Sequence, residues 1–185
     1  MKTLVKWSVE DYHRMIEAGI LAARRVELLR GDIVEMSPEG PEHYFLVDET
    51  SDYLKQLLEG RAIVRFDGPI TLMNSEPEPD IAIVRLPKAQ YRSRHPQPDD
   101  IYWIIEYSNS TLVKDLEEKQ QIYAAAKIQE YWVVNLKAKQ LKVFREPVVE
   151  AYRIERTLTT GDITSLAFPN TAFSVEKILG TQQLP

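Results

Sequence analysis

The chain has 185 residues, of which 44% are hydrophobic and 28% charged, the composition of an ordinary globular domain with one core. It contains no cysteine, which excludes disulfides, a thiol nucleophile and cysteine-ligated metal centres. Its net charge of −5 argues against a general nucleic-acid coat protein but leaves room for a local basic track.

The first half of the sequence predicts two helices with a hairpin between them. A capping-box pattern at Ser8 predicts a helix that runs to about Ala18. The segment 24–36 predicts two short strands around a glycine turn. A second amphipathic helix is expected over 42–59. The strands that should follow it are 62–71 and 80–85.

The second half begins with a polar loop over 86–100 and continues with a strong strand, 101–107, and a strong helix, 111–127. The remaining predicted elements are strands at 130–135, 141–145 and 149–157 and a short helix from Ser174. Helices interleave with strands in the middle of the chain, and hairpins occupy its ends. The sequence therefore predicts a single domain over 1–185 of the α/β (α+β) class, with a mixed β-sheet core flanked by helices and extra β-hairpins in the N- and C-terminal parts.

Two isolated carboxylates interrupt strands that are otherwise apolar. Asp80 opens the run DIAIV, and Glu106 stands near the end of IYWIIEYS. Strands that are apolar on both faces are typically central, and ligand sites gather at the C-terminal ends of strands in open α/β sheets. Carboxylate oxygens are suitable ligands for a divalent metal. Taken alone, Asp80 is better explained as the solvated first residue of its strand or as a turn former. For Glu106, a pair with a buried arginine or a strand end that reaches water explains the residue as well as a functional role does.

A lysine interrupts the apolar stripe of the helix that follows. The stripe is formed by Leu112, Leu116, Tyr123 and Ala126. Lys119 occupies the step that this spacing leaves open, so its side chain is expected to face inward. The alternatives are a packed stem with its ammonium in water, or a surface pair with Asp115.

Two further residues are weaker candidates. Glu27 lies inside a short strand, where an edge strand with one wet face explains it as well. His43 follows a loop and is expected near the start of a helix, and a lone histidine is more often structural than catalytic. His13 and His95 lie in polar surroundings and carry no functional prediction.

The clearest basic stretch of the chain follows the Asp80 strand directly. No acidic residue lies among its members, which are Arg85, Lys88, Arg92 and Arg94. The stretch is compatible with a phosphate track beside a metal site, and equally with a solvated loop.

Four segments, in order along the chain, resemble the Uma-type restriction endonuclease family within the PD-(D/E)XK nuclease superfamily. They are RRVELLRGDIVEMSPEGPEH, EPEPDIAIV, IIEYSNSTLVKDLEEKQQIYAAAKIQEYWVV and SLAFPNTAFSVEKIL. The likeness covers nearly the whole chain, and its middle part is the most specific. It implies a restriction-endonuclease-like core and cleavage of DNA by a metal-dependent endonuclease.

The resemblance also implies roles for individual residues. Asp80 matches the Asp of the PD element, and Glu106 matches the (D/E) element. The superfamily lysine usually lies two residues after that acid, where this chain has Ser108 instead. The family has a lysine on the following helix, matched here by Lys119. Glu27 matches an N-terminal glutamate of the family and is expected to be a further metal ligand.

In this interpretation, Asp80 and Glu106 would bind Mg²⁺ or Mn²⁺, and Lys119 would assist the attacking water. The expected accessory residues are His43, Ser108 and Tyr123. The expected partners are DNA and a second copy of the chain, forming a homodimer.

No apolar run approaches the ~18–20 residues that span a bilayer, and the N-terminal segment lacks the pattern of a secretory signal. We therefore expect a cytoplasmic protein with no membrane partner. Two alternatives to the nuclease stay open: a catalytically silent nucleic-acid- or protein-binding module, and a plain structural domain whose charges pair internally.

Overall fold

The computed structural model describes residues 4–108 and 113–182, without the side chains of residues 113–116. Its helices are α1 (Val9–Glu17), α2 (Pro41–Leu57), α3 (Val113–Ala125) and α4 (Val175–Leu179). Its strands are β1 (Val26–Leu29), β2 (Asp32–Glu35), β3 (Ile63–Phe66), β4 (Ile81–Val84), β5 (Ile101–Ser108), β6 (Glu130–Asn135), β7 (Gln140–Val148), β8 (Ala151–Leu158), β9 (Asp162–Ile163) and β10 (Phe173–Ser174).

A six-stranded mixed sheet in the order β3-β4-β5-β6-β7-β8 forms the centre of the fold. Strands β5 and β6 are parallel and are joined through α3, while the other neighbours in the sheet are antiparallel. Strands β1 and β2 form a separate hairpin, and β9 pairs with β10. The predicted mixed sheet flanked by helices is confirmed.

Each face of the sheet has its own apolar core. Helices α2 and α4 pack on one face, against Trp103, Ile105 and Trp132. Helix α3 packs on the other face, against Ile104 and Val133. Because successive side chains of a strand point to opposite faces, Glu106 of β5 lies on the α3 side.

The predicted beginnings of two helices are confirmed. Ser8 accepts a hydrogen bond from the backbone of Asp11, whose side chain in turn accepts from the Ser8 backbone. Ser174 likewise accepts from the backbone N–H of Lys177 at the start of α4. Such caps satisfy backbone donors that the first helical turn leaves without partners.

The prediction of a strand over 62–71 is wrong beyond residue 66. Strand β3 ends there because Asp67 has a φ of 44°, in the left-handed region that interrupts an extended chain. The backbone of Ile70 then donates to Pro77 and that of Thr71 to Pro96, so this part of the chain pairs with loops.

Smaller differences have similar causes. Strand β8 begins at Ala151 rather than at residue 149, because Val149 has a φ of 59° and belongs to the turn after β7. The predicted loop 86–100 contains two 3₁₀ turns, Lys88–Arg92 and Pro98–Asp100. Residue 111, the predicted start of the long helix, lies outside the described residues. Within the described part of the chain, no helix combines the length and apolar character needed to cross a membrane.

Candidate active site

Asp80 lies immediately before β4 and joins three elements. Its carboxylate oxygen Oδ2 accepts a hydrogen bond from the backbone N–H of Tyr107 at 2.6 Å. The same oxygen lies 3.2 Å from Nε2 of His43, in the first turns of α2. The backbone N–H of Asp67, just after β3, donates to the Asp80 carbonyl at 3.2 Å. Asp80 is thereby fixed against the end of β5, with only 9% of its surface exposed.

Lys119 projects from α3 between two buried glutamates. Its Nζ lies 3.1 Å from Oε1 of Glu106 and 3.3 Å from Oε2 of Glu27. The hydroxyl of Tyr123, one helical turn further on, donates to the same Glu106 oxygen at 2.7 Å. The Lys119 side chain is only 12% exposed, so the inward orientation predicted from the helical stripe is observed.

In each of the three carboxylates, one oxygen contacts the protein and the other makes no hydrogen bond to the described residues. The engaged oxygens are Oδ2 of Asp80, Oε1 of Glu106 and Oε2 of Glu27. The other three oxygens are Oδ1 of Asp80, Oε2 of Glu106 and Oε1 of Glu27. The site thus combines one buried ammonium group with three buried carboxylates, each of which has one oxygen without a hydrogen bond to the described residues.

Two other buried carboxylates provide a contrast. Both oxygens of Glu130 are used: one accepts from Trp132 and Arg145, and the other accepts from the backbone N–H of Leu166. Both oxygens of Glu76 are also used, since His13 Nε2 lies 2.7 and 2.8 Å from them and Thr71 donates to one of them. A purely structural buried carboxylate in this fold is therefore saturated on both oxygens.

The chemistry of the donor set fits a hard divalent cation. Mg²⁺ prefers oxygen ligands and typically takes only one or two carboxylates, because it keeps several of its waters. Asp80 and Glu106 supply two such carboxylates, and Glu27 supplies a third. Among the described residues, no three His, Asp or Glu side chains already stand close enough to share one metal ion. Water-mediated or two-carboxylate coordination is therefore the mode that fits.

The charges of the site shift its pKa values strongly. Burial raises the pKa of Glu106 to about 7, and Asp80 and Glu27 add to that rise, while Lys119 opposes it. Burial by itself would lower the pKa of Lys119, but Glu106, Glu27 and Asp80 outweigh it and hold that pKa above its usual value. Lys119 consequently stays an ammonium ion throughout the physiological range of pH.

The raised pKa of Glu106 predicts a pH-dependent stability in the absence of metal. A carboxyl whose pKa is higher in the folded than in the unfolded state stabilises most below its unfolded pKa, and loses that contribution as pH rises through the folded pKa. We expect the wild type to lose on the order of 2–3 kcal/mol relative to Glu106→Gln as the pH rises from 4.5 to about 7. Urea titrations of both proteins in a chelating buffer measure this difference, and a constant difference across that range would contradict it.

Two acidic residues that the sequence did not single out, Asp67 and Glu78, border the carboxylates. Partial burial raises the pKa of Asp67 to about 6, with Glu39 and Asp80 adding to the rise. Burial and the charge of Glu27 raise the pKa of Glu78. The sequence contains a feature at each of these two residues. Glu78 stands two residues before Asp80, and Asp67 opens an Asp-Gly turn. Neither signal distinguishes a site residue from an ordinary turn.

The ring of His43 lies between the carboxylates of Asp80 and Glu39. Its Nε2 is 3.2 Å from the Tyr107 carbonyl as well as from Asp80, and its Nδ1 is 3.5 Å from Glu39. Burial lowers the pKa of His43, but Asp80 and Glu39 outweigh that effect and raise it. Ser108, the other accessory candidate, is a buried residue at the end of β5, and its carbonyl accepts from Leu136.

The four cations of the basic stretch differ in their contacts. Arg94 is paired with Asp100, and Arg85 donates to the Asp99 carbonyl and stacks on Tyr102. Lys88 and Arg92 form no ion pair with the described residues. Among these four cations, Lys88 and Arg92 are therefore the ones whose charges are most available to bind an external anion.

The chain was compared with protein families and solved structures. The family model Uma2, described as "Putative restriction endonuclease", matches residues 9–176. The crystal structure of a putative nuclease belonging to DUF820 from Anabaena variabilis ATCC 29413 has a TM-score of 0.68 and 12% identity, covering 84% of this chain and 90% of that one. At this identity the likeness shows the fold alone. No curated protein matches the chain. Since the family match spans most of its length, the chain belongs to the Uma2 family, as the resemblance predicted.

Proposed function

We propose that this protein is a metal-dependent endonuclease that hydrolyses phosphodiester bonds in DNA. Asp80 and Glu106 are the proposed ligands of Mg²⁺ or Mn²⁺, with Glu27 as a further ligand. The observation that carries the proposal is the cluster of three buried carboxylates, Asp80, Glu106 and Glu27, whose charges act on the buried Lys119 ammonium. Membership of the Uma2 family and the nuclease-type fold support a nuclease in general.

Each residue of the site has its own proposed role in the reaction. A bound divalent cation supplies Lewis-acid stabilisation of the phosphoryl group and a more acidic water. Lys119 stays charged, so it would stabilise negative charge developing on the phosphate rather than remove a proton. Tyr123 fixes the orientation of Glu106, and the Tyr107 backbone N–H and His43 fix that of Asp80.

The contrast with Glu130 argues against a plain structural role. A carboxylate kept only for stability is best placed when all its lone pairs are satisfied, since burying an unsatisfied charge costs free energy. Glu130 meets that condition, while Asp80, Glu106 and Glu27 each keep one oxygen without a hydrogen bond to the described residues. A silent binding module would likewise have no use for three half-satisfied carboxylates beside a buried lysine.

The direct test is cleavage of supercoiled plasmid DNA by the purified protein with Mg²⁺, with Mn²⁺ and with a chelator. We expect nicked or linear product with either metal and none with the chelator, because the carboxylates need a cation to approach a phosphate. Product that persists in the chelator would contradict metal dependence. Absence of product on duplex, single-stranded and branched DNA with both metals would contradict the nuclease itself.

A further inference from the structure

A pocket of about 630 Å³ lies beside β3, the edge strand of the main sheet, where the Lys88–Arg92 turn faces it. Three cations line it: Arg65 from β3, and Lys88 and Arg92 from the turn. The ring of Tyr91 completes the wall, and its hydroxyl donates to the Arg85 carbonyl at 2.9 Å. We call it the Arg65 pocket.

The guanidinium of Arg65 has no counter-ion among the residues that the structure describes. Its Nε is buried and has no hydrogen-bond partner, and no carboxylate of the described chain pairs with it. Its guanidinium carbon lies 5.9 Å from the centroid of the Tyr91 ring. A partly buried cation without an anion is unfavourable, since desolvation is not compensated by pairing. Arg94, by contrast, has its own carboxylate partner, Asp100.

The backbone of Gly68 lies close to the guanidinium of Arg65. A Cβ atom at Gly68 would lie 3.0 Å from Nη2 of Arg65, so a glycine at this position leaves room for the guanidinium. Lys88 and Arg92 are exposed on the opposite wall and, like Arg65, form no ion pair within residues 4–108 and 113–182. Three unneutralised positive charges therefore converge on one pocket in a protein with a net charge of −5.

The sheet register relates the pocket to the carboxylates. Arg65 of β3 is opposite Ala82 of β4, and Asp80 stands two residues before Ala82. Two residues along a strand span roughly 6.6 Å and return to the same face. The backbones of Arg65 and Asp80 are therefore separated by this step together with one spacing of ~4.8 Å between neighbouring strands, and Arg65 lies on the α3 side of the sheet, like Ala82. This separation is short enough for one nucleic-acid strand to contact both places.

We propose that the Arg65 pocket binds a backbone phosphate of the DNA strand, near the phosphate that lies at Asp80 and Glu106. The inference rests on the proposed nuclease function for the position of that second phosphate. Arginine offers a planar fork of donors that matches two phosphate oxygens, and the exposed Lys88 and Arg92 add charge around them. Arg65 is thus a positioning residue and not a catalytic one.

The test measures the binding of a fluorescently labelled DNA duplex by anisotropy, in a chelating buffer where no metal-dependent cleavage occurs. We expect Arg65→Met to weaken binding about tenfold and to reduce the salt slope of the affinity by about one. Arg65→Lys should recover only part of the loss, because it restores charge but not the fork. Arg92→Ala, on the exposed turn, tests the pocket without risk to the sheet and should weaken binding in the same direction.

The matched control is Arg153→Met, which removes an exposed arginine from β8 and should leave binding and the salt slope unchanged. Equal affinity of wild type, Arg65→Met and Arg92→Ala, or no binding by the wild type, would overturn the pocket. Binding of inorganic phosphate that is lost in Arg65→Met, with the affinity for the duplex unaltered in the same variant, would also overturn it, in favour of a site for free phosphate.

The two proposals fail separately. Metal-dependent cleavage by the wild type, with unaltered affinity for DNA in Arg65→Met, would contradict the proposed role of the pocket and support the nuclease function. Weakened DNA binding in Arg65→Met, with no cleavage by the wild type in the presence of either metal, would contradict the nuclease function and support a DNA-binding pocket.

Discussion

Replacing Asp80 by Asn or Glu106 by Gln is expected to lower metal-dependent cleavage by at least about a hundredfold. The amides keep the shape of the acids, and an amide oxygen still accepts from the Tyr107 backbone or from Tyr123. What they remove is the negative charge that attracts a divalent cation. Calorimetric titration with Mg²⁺ or Mn²⁺ should show the loss of metal affinity, and initial cleavage rates should show the loss of activity.

Glu130→Gln is the matched control for these variants. Glu130 is a fully buried carboxylate of the same sheet, and it is paired with Arg145. Its substitution should lower the free energy of unfolding but leave metal affinity unchanged. Full cleavage by Asp80→Asn or Glu106→Gln would contradict the site. An equal loss of metal affinity in all three variants would instead indicate general damage to the fold.

Replacing Lys119 by Met is expected to separate metal binding from catalysis. The substitution removes the positive charge between Glu27 and Glu106, so the carboxylates should attract a cation more strongly and metal affinity should rise. Cleavage should nevertheless fall by about 10²–10³-fold, because the charge that stabilises the reacting phosphate is lost. Without metal, the variant should be less stable than the wild type, since two buried carboxylates lose their partner.

Calorimetry, cleavage rates and urea titrations with and without metal measure these three effects. Lys139→Met is a suitable control, because Lys139 is exposed and pairs with Glu42 at the surface. A variant of Lys119 that loses metal affinity together with activity would show that the lysine only maintains the structure of the site. A variant that cleaves at the wild-type rate would remove Lys119 from the proposed chemistry.

Periodicity and capping determined most of the fold. The helix signals at Ser8 and Ser174 are local, since a capping side chain bonds to a backbone only three residues away. Strand β5 is apolar on both faces, and this local sequence pattern is enough to indicate a central strand. The inward orientation of Lys119 followed from helical spacing, because a helix fixes which residues share a face. The homodimer, the cytoplasmic location and the residue roles remain predictions.

What the sequence by itself determined is therefore the element order, the family and the identity of the unusual charges. Only the tertiary structure decided which atoms of those charges are engaged. Leu166 and Arg145 contact the two oxygens of Glu130, while Lys119 and Tyr123 contact one oxygen of Glu106, and other elements bring these partners into place. The tertiary structure also decided the end of β3 at Asp67 and the position of Arg65 beside Tyr91, without an ion pair to the described residues. Such pairings depend on distances between segments far apart in the chain, which residue spacing along one segment does not encode.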